Sequence, residues 1–544
     1  MKTAPTSLAL ITALFFAFFF PAVQAQPKLP TLFSDHMVLQ RDMAAPIWGW
    51  AAAGEEVKIS GGGVEATATA DAAGKWMTKL NSLKATPTPF DLSVSTKSGT
   101  VTIKDVLVGD VWICSGQSNM QFGTGSSSTW KEVESAPANP MIRLFAVRAN
   151  PSFEPLDNVA NGAWQIADPV SIKGFSGVGY YFGKEIAETQ KVPVGLIGSN
   201  VGGTPAQAWI DLKGLDADPA LKKFSDAFNA LNSKKDEINA AYAKWLAEGG
   251  NDYLKASADW RRASYEAKKN GTPEPPAPKP HAPEPPSPKT TSTPTVLNNG
   301  MIAPLVPYAI KGAIWYQGES GGAPYANLLA ALIKGWRNQW NQGEFPFYAV
   351  QLPNYRPSSN LVVERGWPEV RQAIAQVAET VPNAGMAVAI EVGEEKDLHP
   401  PHKRPVGHRL ALAVRQKVYG EPIVGVSPVY VSKTVEGNKI TLKFKDVGTG
   451  LKIGVPTDPK PGTTAPTPAS ELQGFAIAGA DKKWAVAKAE ITGPDTVTVT
   501  APPEIAAPAE VAYGWSESPA VNLYNSGDLP ASPFRTDLAA KTTP

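Results

Sequence analysis

The sequence is poor in cysteine, because Cys114 is the only one in 544 residues. A single thiol cannot form a disulfide within the chain, so we expect stability to come from the burial of apolar side chains. Cys114 lies within an apolar run, where an unpaired cysteine usually behaves as a small buried hydrophobic residue. This position argues against the thiol as a nucleophile.

The sequence also lacks an excess of charge of one sign. The formal net charge is +1 and charged residues make up 19% of the chain, so there is no basic stripe of the kind that binds a phosphate backbone. No cluster of histidine, cysteine and carboxylate residues has metal-ligand spacing, and no glycine-rich phosphate loop is present. We therefore expect no nucleic-acid partner and no metal or nucleotide cofactor.

Long apolar runs are confined to the amino terminus. The run at residues 8–20 is short for a membrane-spanning helix and is followed by Pro21 and then by the small residue Ala25. This pattern predicts a signal peptide at residues 1–25, removed after Ala25, and a retained amino-terminal anchor is the alternative. We expect an exported protein, periplasmic or extracellular, with no membrane attachment once the signal is removed.

The length of the chain predicts several domains, and the sequence pattern changes along it. Short alternating segments predict β domains at both ends, and strands that alternate with helices predict a parallel sheet between them. The predicted order is an amino-terminal β domain (26–105), a first part of the α/β core (106–215), a helical and proline-rich insertion (216–295), a second part of the core (296–420) and a carboxyl-terminal β domain (421–544).

Three local features of these segments can be predicted. Within the core, we predict a helix over residues 178–189 and another that begins near Trp367, with Pro368 in its first turn. Within the insertion, the tract at residues 271–289 is so rich in proline that we expect an extended polyproline segment on the surface. His281 lies inside that tract, where we expect it to be in solvent.

A candidate nucleophile follows the most apolar segment of the core. The run GDVWICSGQSNM, residues 109–120, predicts a buried strand that delivers Ser118 to a tight turn preceded by glycine. A helix beginning near Ser118 would direct free backbone N–H groups at a developing oxyanion. The alternative is that Ser118 only caps a helix.

A serine hydroxyl needs a base and an orienting carboxylate before it can act as a nucleophile. The segment DLHPPHK, residues 397–403, offers His399 as the base and Asp397 as its partner. Glu395 is the fallback carboxylate, and His402 and His408 are competing bases. His36 belongs to the predicted amino-terminal β domain, so we interpret it as structural.

Taken together, motifs along nearly the whole mature chain resemble the sialate O-acetylesterase family of the SGNH hydrolase superfamily. They are GDVWICSGQSNM and DLHPPHK, with LFSDHMVLQR (32–41), GLIGSNVGGTPAQAWI (195–210), NGMIAPLVPYAIKGAIWYQGES (299–320) and YGWSESPAVNLYNSGDLPASPFRTD (513–537). The resemblance implies an α/β fold with an SGNH-type three-layer core and a parallel sheet, flanked by small all-β domains. It also implies a carbohydrate deacetylase that uses a serine and no metal.

Further donors for the oxyanion can be named beside the Ser118 amide. Gly202 and Gly203 follow an apolar strand, and a residue without a side chain lets its amide approach a ligand closely, although turn glycines without ligand contact are the alternative. By resemblance, Gln317 takes the place of the asparagine that completes the oxyanion hole in other branches. Gly321 stands where the family leads us to expect asparagine.

Three polar residues near Ser118 are predicted to support the site or to contact substrate. Gln117 and Asn119 flank the serine, and Glu319 follows the apolar run that carries Gln317. A carboxylate beside an oxyanion would be electrostatically unfavourable, so we expect Glu319 to bind sugar hydroxyls or to hold its loop.

The leading hypothesis is an exported esterase that removes O-acetyl groups from an O-acetylated carbohydrate through an acetyl-serine intermediate. One alternative is an acetylesterase for plant polysaccharide such as xylan or xyloglucan, and another is an inert glycan-binding protein. Trp209, Trp315 and Tyr316 are candidate sugar platforms or core residues. The position of the acetyl group and the oligomeric state stay open.

Overall fold

The computed structural model describes residues 26–538 apart from 288–289, 322–323, 360–361, 364–365 and 456–469. The predicted signal peptide, residues 1–25, lies outside the described residues. Among the helices that are described, none combines the length and the hydropathy needed to cross a bilayer.

An amino-terminal β unit leads directly into the central sheet. Its strands are β1 (Val38–Gln40), β2 (Pro46–Trp50), β3 (Glu56–Gly61), β4 (Val64–Thr69), β5 (Lys75–Lys79), β6 (Thr86–Thr96) and β7 (Gly99–Gly116). The first half of β7 pairs antiparallel with β6 and leaves several residues exposed, whereas every residue from Val106 to Gly116 is buried. This change is expected where a strand enters a sheet that is covered on both faces. The predicted boundary after residue 105 therefore falls inside one continuous strand.

The first part of the α/β region follows β7. It contains α1 (Ser118–Gln121), α2 (Trp130–Val133), β8 (Asn139–Ala146), β9 (Trp164–Ala167), α3 (Pro169–Gly174), α4 (Gly177–Gln190) and β10 (Val194–Asn200). The helix predicted over 178–189 is confirmed as α4. Its N-cap residue Ser176 accepts the backbone N–H of Gly179 through its hydroxyl, which satisfies a free donor of the first turn.

A helical segment comes next, and the proline-rich tract packs against it. Its helices are α5 (Leu212–Asp216), α6 (Lys222–Asn232), α7 (Lys235–Trp245) and α8 (Asn251–Asn270). Residues 272–287 form neither helix nor strand and pack back against α7 and α8. There Trp245 Nε1 donates to Ala282 O at 3.2 Å, and Trp260 Nε1 donates to Pro275 O at 2.8 Å. His281 is exposed, as predicted, and one face of its ring stacks on Trp245.

The second part of the α/β region completes the central sheet. It contains β11 (Gly312–Tyr316), α9 (Tyr325–Trp340), β12 (Phe347–Gln351), α10 (Trp367–Thr380), β13 (Ala384–Val388) and α11 (Lys403–Lys417). The strand order is β13-β12-β11-β7-β10-β8-β9, and all neighbours are parallel except β8 and β9. The predicted parallel sheet is thus confirmed, and α10 begins at Trp367 with Pro368 in its first turn, as predicted.

Further β-sheets form the carboxyl-terminal part of the molecule. The strands are β14 (Val429–Glu436), β15 (Lys439–Lys445), β16 (Leu451–Ile453), β17 (Phe475–Ala478), β18 (Trp484–Val486), β19 (Lys488–Gly493), β20 (Thr496–Thr500), β21 (Glu510–Tyr513), β22 (Leu523–Asn525) and β23 (Phe534–Arg535). Two antiparallel sheets, β14-β15-β20-β19 and β18-β17-β21-β23, enclose an apolar core of their own. The chain is therefore a mixed α/β protein with additional all-β sheets.

Candidate active site

Three neighbouring strands end together at the position where Ser118 emerges. Gly116 at the end of β7 is in register with Asn200 of β10 on one side and with Tyr316 of β11 on the other. Gly116 has φ +138, and a Cβ atom there would lie 2.1 Å from Tyr316 O, so only glycine fits. Ser118 is the first residue of α1, which places it at the carboxyl edge of the sheet.

The structure brings Ser118 and His399 together although 281 residues separate them. His399 Nε2 lies 2.8 Å from Ser118 Oγ, which is within proton-transfer distance. His399 is half-buried in the loop between β13 and α11. A hydroxyl hydrogen-bonded to an imidazole in this way has the arrangement of an activated serine nucleophile.

Asp397 lies beside His399 but contacts its main chain. Asp397 Oδ1 accepts the backbone N–H of His399 at 2.8 Å, and within the described part of the chain no carboxylate hydrogen-bonds to the His399 ring. The reason is local, because an aspartate whose side chain accepts the N–H two residues later forms an Asx-turn. The spacing of one residue between Asp397 and His399 thus favours a turn, whereas the sequence led us to expect a bond to the ring.

The surroundings of His399 favour its neutral form. Burial lowers the pKa of His399, the positive charge of Lys403 lowers it further, and the carboxylates of Asp397 and Glu319 act in the opposite direction. Since a general base must be neutral before it accepts a proton, the lowered pKa keeps His399 competent as a base to more acidic pH.

The two glycines of the predicted oxyanion hole differ in position. A Cβ atom on Gly202 would lie 3.3 Å from Ser118 Cβ, and the Gly202 amide donates to Gln121 Oε1 at 2.9 Å. Gly203 has φ +72, and a Cβ atom there would meet nothing within 4 Å. Of the two, Gly202 borders Ser118, whereas Gly203 shapes the turn.

Gln317 is buried against this glycine loop. Its Nε2 donates to the carbonyl oxygen of Thr204 at 3.3 Å, and its Oε1 accepts the hydroxyl of Tyr325 at 2.8 Å. The Thr204 carbonyl oxygen can only accept, so its contact fixes which end of the Gln317 amide carries the nitrogen. Gln317 therefore presents its N–H groups on the side of the glycine loop.

Glu319 is held by the residues on either side of the nucleophile. Gln117 Nε2 and Asn119 Nδ2 both donate to the Glu319 carboxylate, the second at 2.6 Å. Asn119 Nδ2 also donates to Leu398 O at 3.1 Å, and Asn119 Oδ1 accepts the ammonium of Lys403 at 2.5 Å. The three residues predicted to support the site thus form one network with a buried lysine.

Lys403 is the residue of this network that the sequence analysis missed. It is the last residue of the DLHPPHK motif and the first residue of α11, and it is fully buried. A lysine in the first turn of a helix opposes the helix dipole, and this mismatch is the signal in the sequence that could have identified it.

The competing residues are occupied elsewhere. His402 contacts Glu394 at 3.1 Å and Ser128 at 3.3 Å, and His408 contacts Glu185 at 2.6 Å. His36 contacts Asp105 at 2.6 Å, and Glu395 is exposed and accepts the Arg356 backbone N–H through its carbonyl oxygen. Burial raises the pKa of the Cys114 thiol.

The candidate aromatic platforms are core residues. Trp209, Trp315 and Tyr316 are fully buried, and the rings of Trp209 and Trp315 meet edge to face at 6.0 Å. Of the two roles left open by the sequence, the structure shows the core role, because none of the three presents a ring face to solvent. Among the residues that the structure describes, no group of three or more His, Cys, Asp or Glu side chains is placed to hold a metal ion.

Comparison with known proteins now identifies the family. A family model described as carbohydrate esterase, sialic acid-specific acetylesterase, matches residues 108–240. The crystal structure of a carbohydrate acetylesterase from Xanthomonas citri is 33% identical, has a TM-score of 0.74, and aligns with 94% of this chain and 100% of that one. The chain belongs to the sialate O-acetylesterase family.

Curated members of the sialate O-acetylesterase family agree with this assignment. The sialate O-acetylesterases of Rattus norvegicus and Homo sapiens are 28% and 27% identical over 435 residues, which span 72% of this chain and 74% and 71% of those proteins. The protein is thus an esterase, a carbohydrate acetylesterase of the sialate O-acetylesterase type.

One departure from the expected sialate O-acetylesterase pattern has a structural reason. Gly321, where we expected asparagine, donates its backbone N–H to Gly318 O at 2.7 Å. A Cβ atom on Gly321 would lie 2.7 Å from that oxygen and 3.1 Å from the Tyr325 ring. Glycine therefore permits a tighter turn after Glu319 than asparagine would.

Proposed function

We propose that the protein removes acetyl groups from O-acetylated sugars through an acetyl-Ser118 intermediate. The observation that carries this proposal is the 2.8 Å contact between Ser118 Oγ and His399 Nε2 at the shared end of β7, β10 and β11. Curated relatives named sialate O-acetylesterase supply the substrate class, an acetyl ester on a sugar hydroxyl.

The first half-reaction transfers the acetyl group to the enzyme. Ser118 Oγ attacks the acetyl carbonyl carbon while His399 Nε2 takes the hydroxyl proton. The tetrahedral oxyanion accepts N–H groups from Ser118, Gly202 and Gln317. The intermediate collapses when the bond to the sugar oxygen breaks, and that oxygen leaves with the proton from His399.

The second half-reaction returns the enzyme to its starting state. A water molecule gives its proton to His399 and attacks the acetyl carbon, and Ser118 Oγ leaves as it regains the proton. In both steps the oxyanion must replace Gln121 Oε1 on the Gly202 amide. This exchange is favourable because a charged acceptor bonds an amide more strongly than a neutral one.

We also infer an SGNH-type three-layer core around this site. Helices α4 and α11 pack together, as do α9 and α10, and α4, α10 and α11 contact the central sheet. Two helix pairs with a sheet between them fit the layer architecture of a doubly covered parallel sheet.

We further propose that the protein is exported and loses residues 1–25. The apolar run at residues 8–20 and the small residue Ala25 support this cleavage. Mass spectrometry of protein recovered outside the cytoplasm should show a chain that begins at Gln26, and an intact Met1 there would contradict the proposal.

The test of the function uses two serines that each contact a histidine. Ser118→Ala should lower kcat for a chromogenic acetyl ester by about 1,000-fold or more, since it removes the nucleophile. Ser128→Ala removes only the hydroxyl beside His402 and should leave kcat unchanged. Circular dichroism would confirm that both variants are folded, and full activity in Ser118→Ala would overturn the proposal.

The substrate is tested with the wild-type protein. Acetate release should be measured side by side on O-acetylated sialic acid and on acetylated xylo-oligosaccharides, and we expect the sialic acid ester to react faster. The reverse order would assign the enzyme to plant polysaccharide. Sugar binding without acetate release from any ester would identify an inert glycan-binding protein.

A further inference from the structure

Lys403 occupies a position that local rules disfavour. Its side chain is 1% exposed, and it is the first residue of α11, where the partial positive charge of the helix end lies. Burying an ammonium group without a partner is costly, and local violations of this kind concentrate at functional sites. A physical reason for a lysine at this position should therefore be found in its contacts.

The surroundings of Lys403 are shaped for a long cationic side chain. Its Nζ lies 4.6 Å from the centre of the Phe122 ring and 5.6 Å from that of Tyr316, both within the range of cation–π attraction. On the α4 side its stem packs against Gly177, where a Cβ atom would lie 3.1 Å from Lys403 Cβ. Glycine on α4 thus makes room for the stem, and two rings face the charge.

The hydrogen bond of Lys403 fixes the orientation of Asn119. An ammonium group only donates, so the 2.5 Å contact requires that Asn119 presents its oxygen to Lys403. The NH₂ group of Asn119 must then face Leu398 O and Glu319. Asn119 directly follows Ser118, and Leu398 directly precedes His399. The Asn119 amide therefore connects the turn that carries Ser118 to the loop that carries His399.

We infer that Lys403 is a positioning residue for the deacetylation: it orients the Asn119 amide that holds the His399 loop against Ser118, and it places a positive charge beside the base. This inference rests on the proposed serine mechanism. It adds a role for a residue that touches neither the ester nor the reacting atoms.

The charged groups around Lys403 and His399 predict the direction in which the pKa of His399 shifts when Lys403 is replaced. Burial lowers the pKa of Lys403 to about 7, and the negative charges of Glu319 and Asp397 oppose this shift. Burial lowers the pKa of His399, and the Lys403 charge lowers it further, whereas the same two carboxylates raise it. Tyr316, which also faces the ammonium, has a pKa raised well above its ordinary value by burial and stays neutral.

The test compares two substitutions at Lys403. Lys403→Met keeps the stem and removes both donor and charge, whereas Lys403→Gln removes the charge and keeps an N–H donor for Asn119 Oδ1. We expect kcat for a neutral chromogenic acetyl ester to fall about 10- to 100-fold in the methionine variant, the effect of a small misplacement of reacting groups, and to recover in part in the glutamine variant. The exposed Lys396 in the same loop supplies the control, and Lys396→Met should match wild type.

The pH profile separates positioning from a general loss of stability. Without the Lys403 charge the imidazolium of His399 is less disfavoured, so its pKa rises and the acidic limb of kcat/KM moves to higher pH in both variants. Wild-type kcat with an unmoved acidic limb would overturn the inference. Loss of folded protein in both variants would also overturn it, because Lys403 would then serve stability alone.

These outcomes are distinct from failure of the proposed function. Full activity in Ser118→Ala removes the serine mechanism whatever the Lys403 variants do. An inactive Ser118→Ala together with Lys403 variants that match wild type removes only the role of Lys403.

Discussion

Single residues at the Ser118 site act through the main chain as well as through their side-chain chemistry. Asp397 accepts the backbone N–H of His399, and Asn119 donates to the carbonyl oxygen of Leu398. Both contacts fix the short segment that carries the base and leave the imidazole free to face Ser118. The position of His399 is therefore determined by the conformation of its loop, which Asp397 stabilises as a turn.

The role of Asp397 can be tested with two substitutions. Asp397→Asn keeps an oxygen that can accept the His399 backbone N–H, so we expect its kcat to fall only about 10-fold. Asp397→Ala removes the acceptor, so we expect its kcat to fall further. The acidic limb of kcat/KM should move to lower pH in Asp397→Asn, because the carboxylate that raises the His399 pKa is gone.

Kinetics of the purified variants over a range of pH would measure both effects, with His399→Asn as the reference for loss of the base. A ring-bound aspartate predicts a different result, since replacing it with asparagine costs about 10⁴-fold. A loss of that size in Asp397→Asn would show that the carboxylate acts on the imidazole directly.

At the scale of elements, the close packing of α4 and α11 sets the position of the site. Gly407 of α11 faces α4, and a Cβ atom there would lie 2.8 Å from Val178 O and 2.9 Å from Phe182 N. Backbone atoms of a packed helix cannot move away independently, so glycine determines how closely the two helices approach. Because α11 begins at Lys403, this approach also determines where Lys403 reaches Asn119.

We expect Gly407→Ala to lower the free energy of unfolding by about 1–3 kcal/mol, the usual effect of overpacking. Alanine has the better helix propensity by up to about 1 kcal/mol, so a measured loss would show that the contact with α4 dominates. Gly174→Ala is the matched control, because a Cβ atom at this exposed position at the end of α3 would meet nothing within 4 Å. Urea unfolding of both variants would measure the difference, and equal stabilities would contradict this account.

At the scale of the whole molecule, the carboxyl-terminal β-sheets support the catalytic region through Arg371. This fully buried side chain on α10 donates to four carbonyl oxygens, those of Leu352 and Pro353 after β12 and those of Ser516 and Glu517 near the carboxyl terminus. The Tyr355 backbone N–H donates to the same Glu517 carbonyl, and Tyr355 also forms a β-bridge with Glu394 in the loop that carries His399. The last part of the chain thus braces the loop that carries His399.

Two arginines that both contact Glu517 test this coupling. Arg371→Met leaves the carbonyl oxygens of Leu352, Pro353 and Ser516 without their donor, while the Glu517 carbonyl keeps the Tyr355 N–H. We expect this substitution to lower the free energy of unfolding by more than about 3 kcal/mol. Arg356 is exposed and pairs with the Glu517 carboxylate at 2.6 Å. Arg356→Met should therefore lower the free energy of unfolding by less than about 1 kcal/mol. Denaturant unfolding of the two variants would measure the contrast, and comparable losses would show that Arg371 does not join the two regions.

Much of the fold could be predicted because its signals are local. The apolar run before Ser118, the helix over 178–189 and the proline in the first turn of α10 each depend on residues a few positions apart. The choice between a platform role and a core role for Trp209 and Trp315 could not be predicted, because it depends on residues that are distant in the sequence. An aromatic side chain has the same sequence signal on a surface as in a core, and only packing against other elements distinguishes the two.

The sequence by itself determined the strand that presents Ser118, the loop that presents His399 and the order of the β and α/β regions, since turn chemistry and hydrophobic periodicity act over short distances. The tertiary structure alone decided that Lys403 meets Asn119 across 284 residues, that Asp397 binds the main chain, and that Gly202 rather than Gly203 borders the nucleophile. These contacts depend on which strands lie side by side in the central sheet, and strand order is a property of the folded chain as a whole.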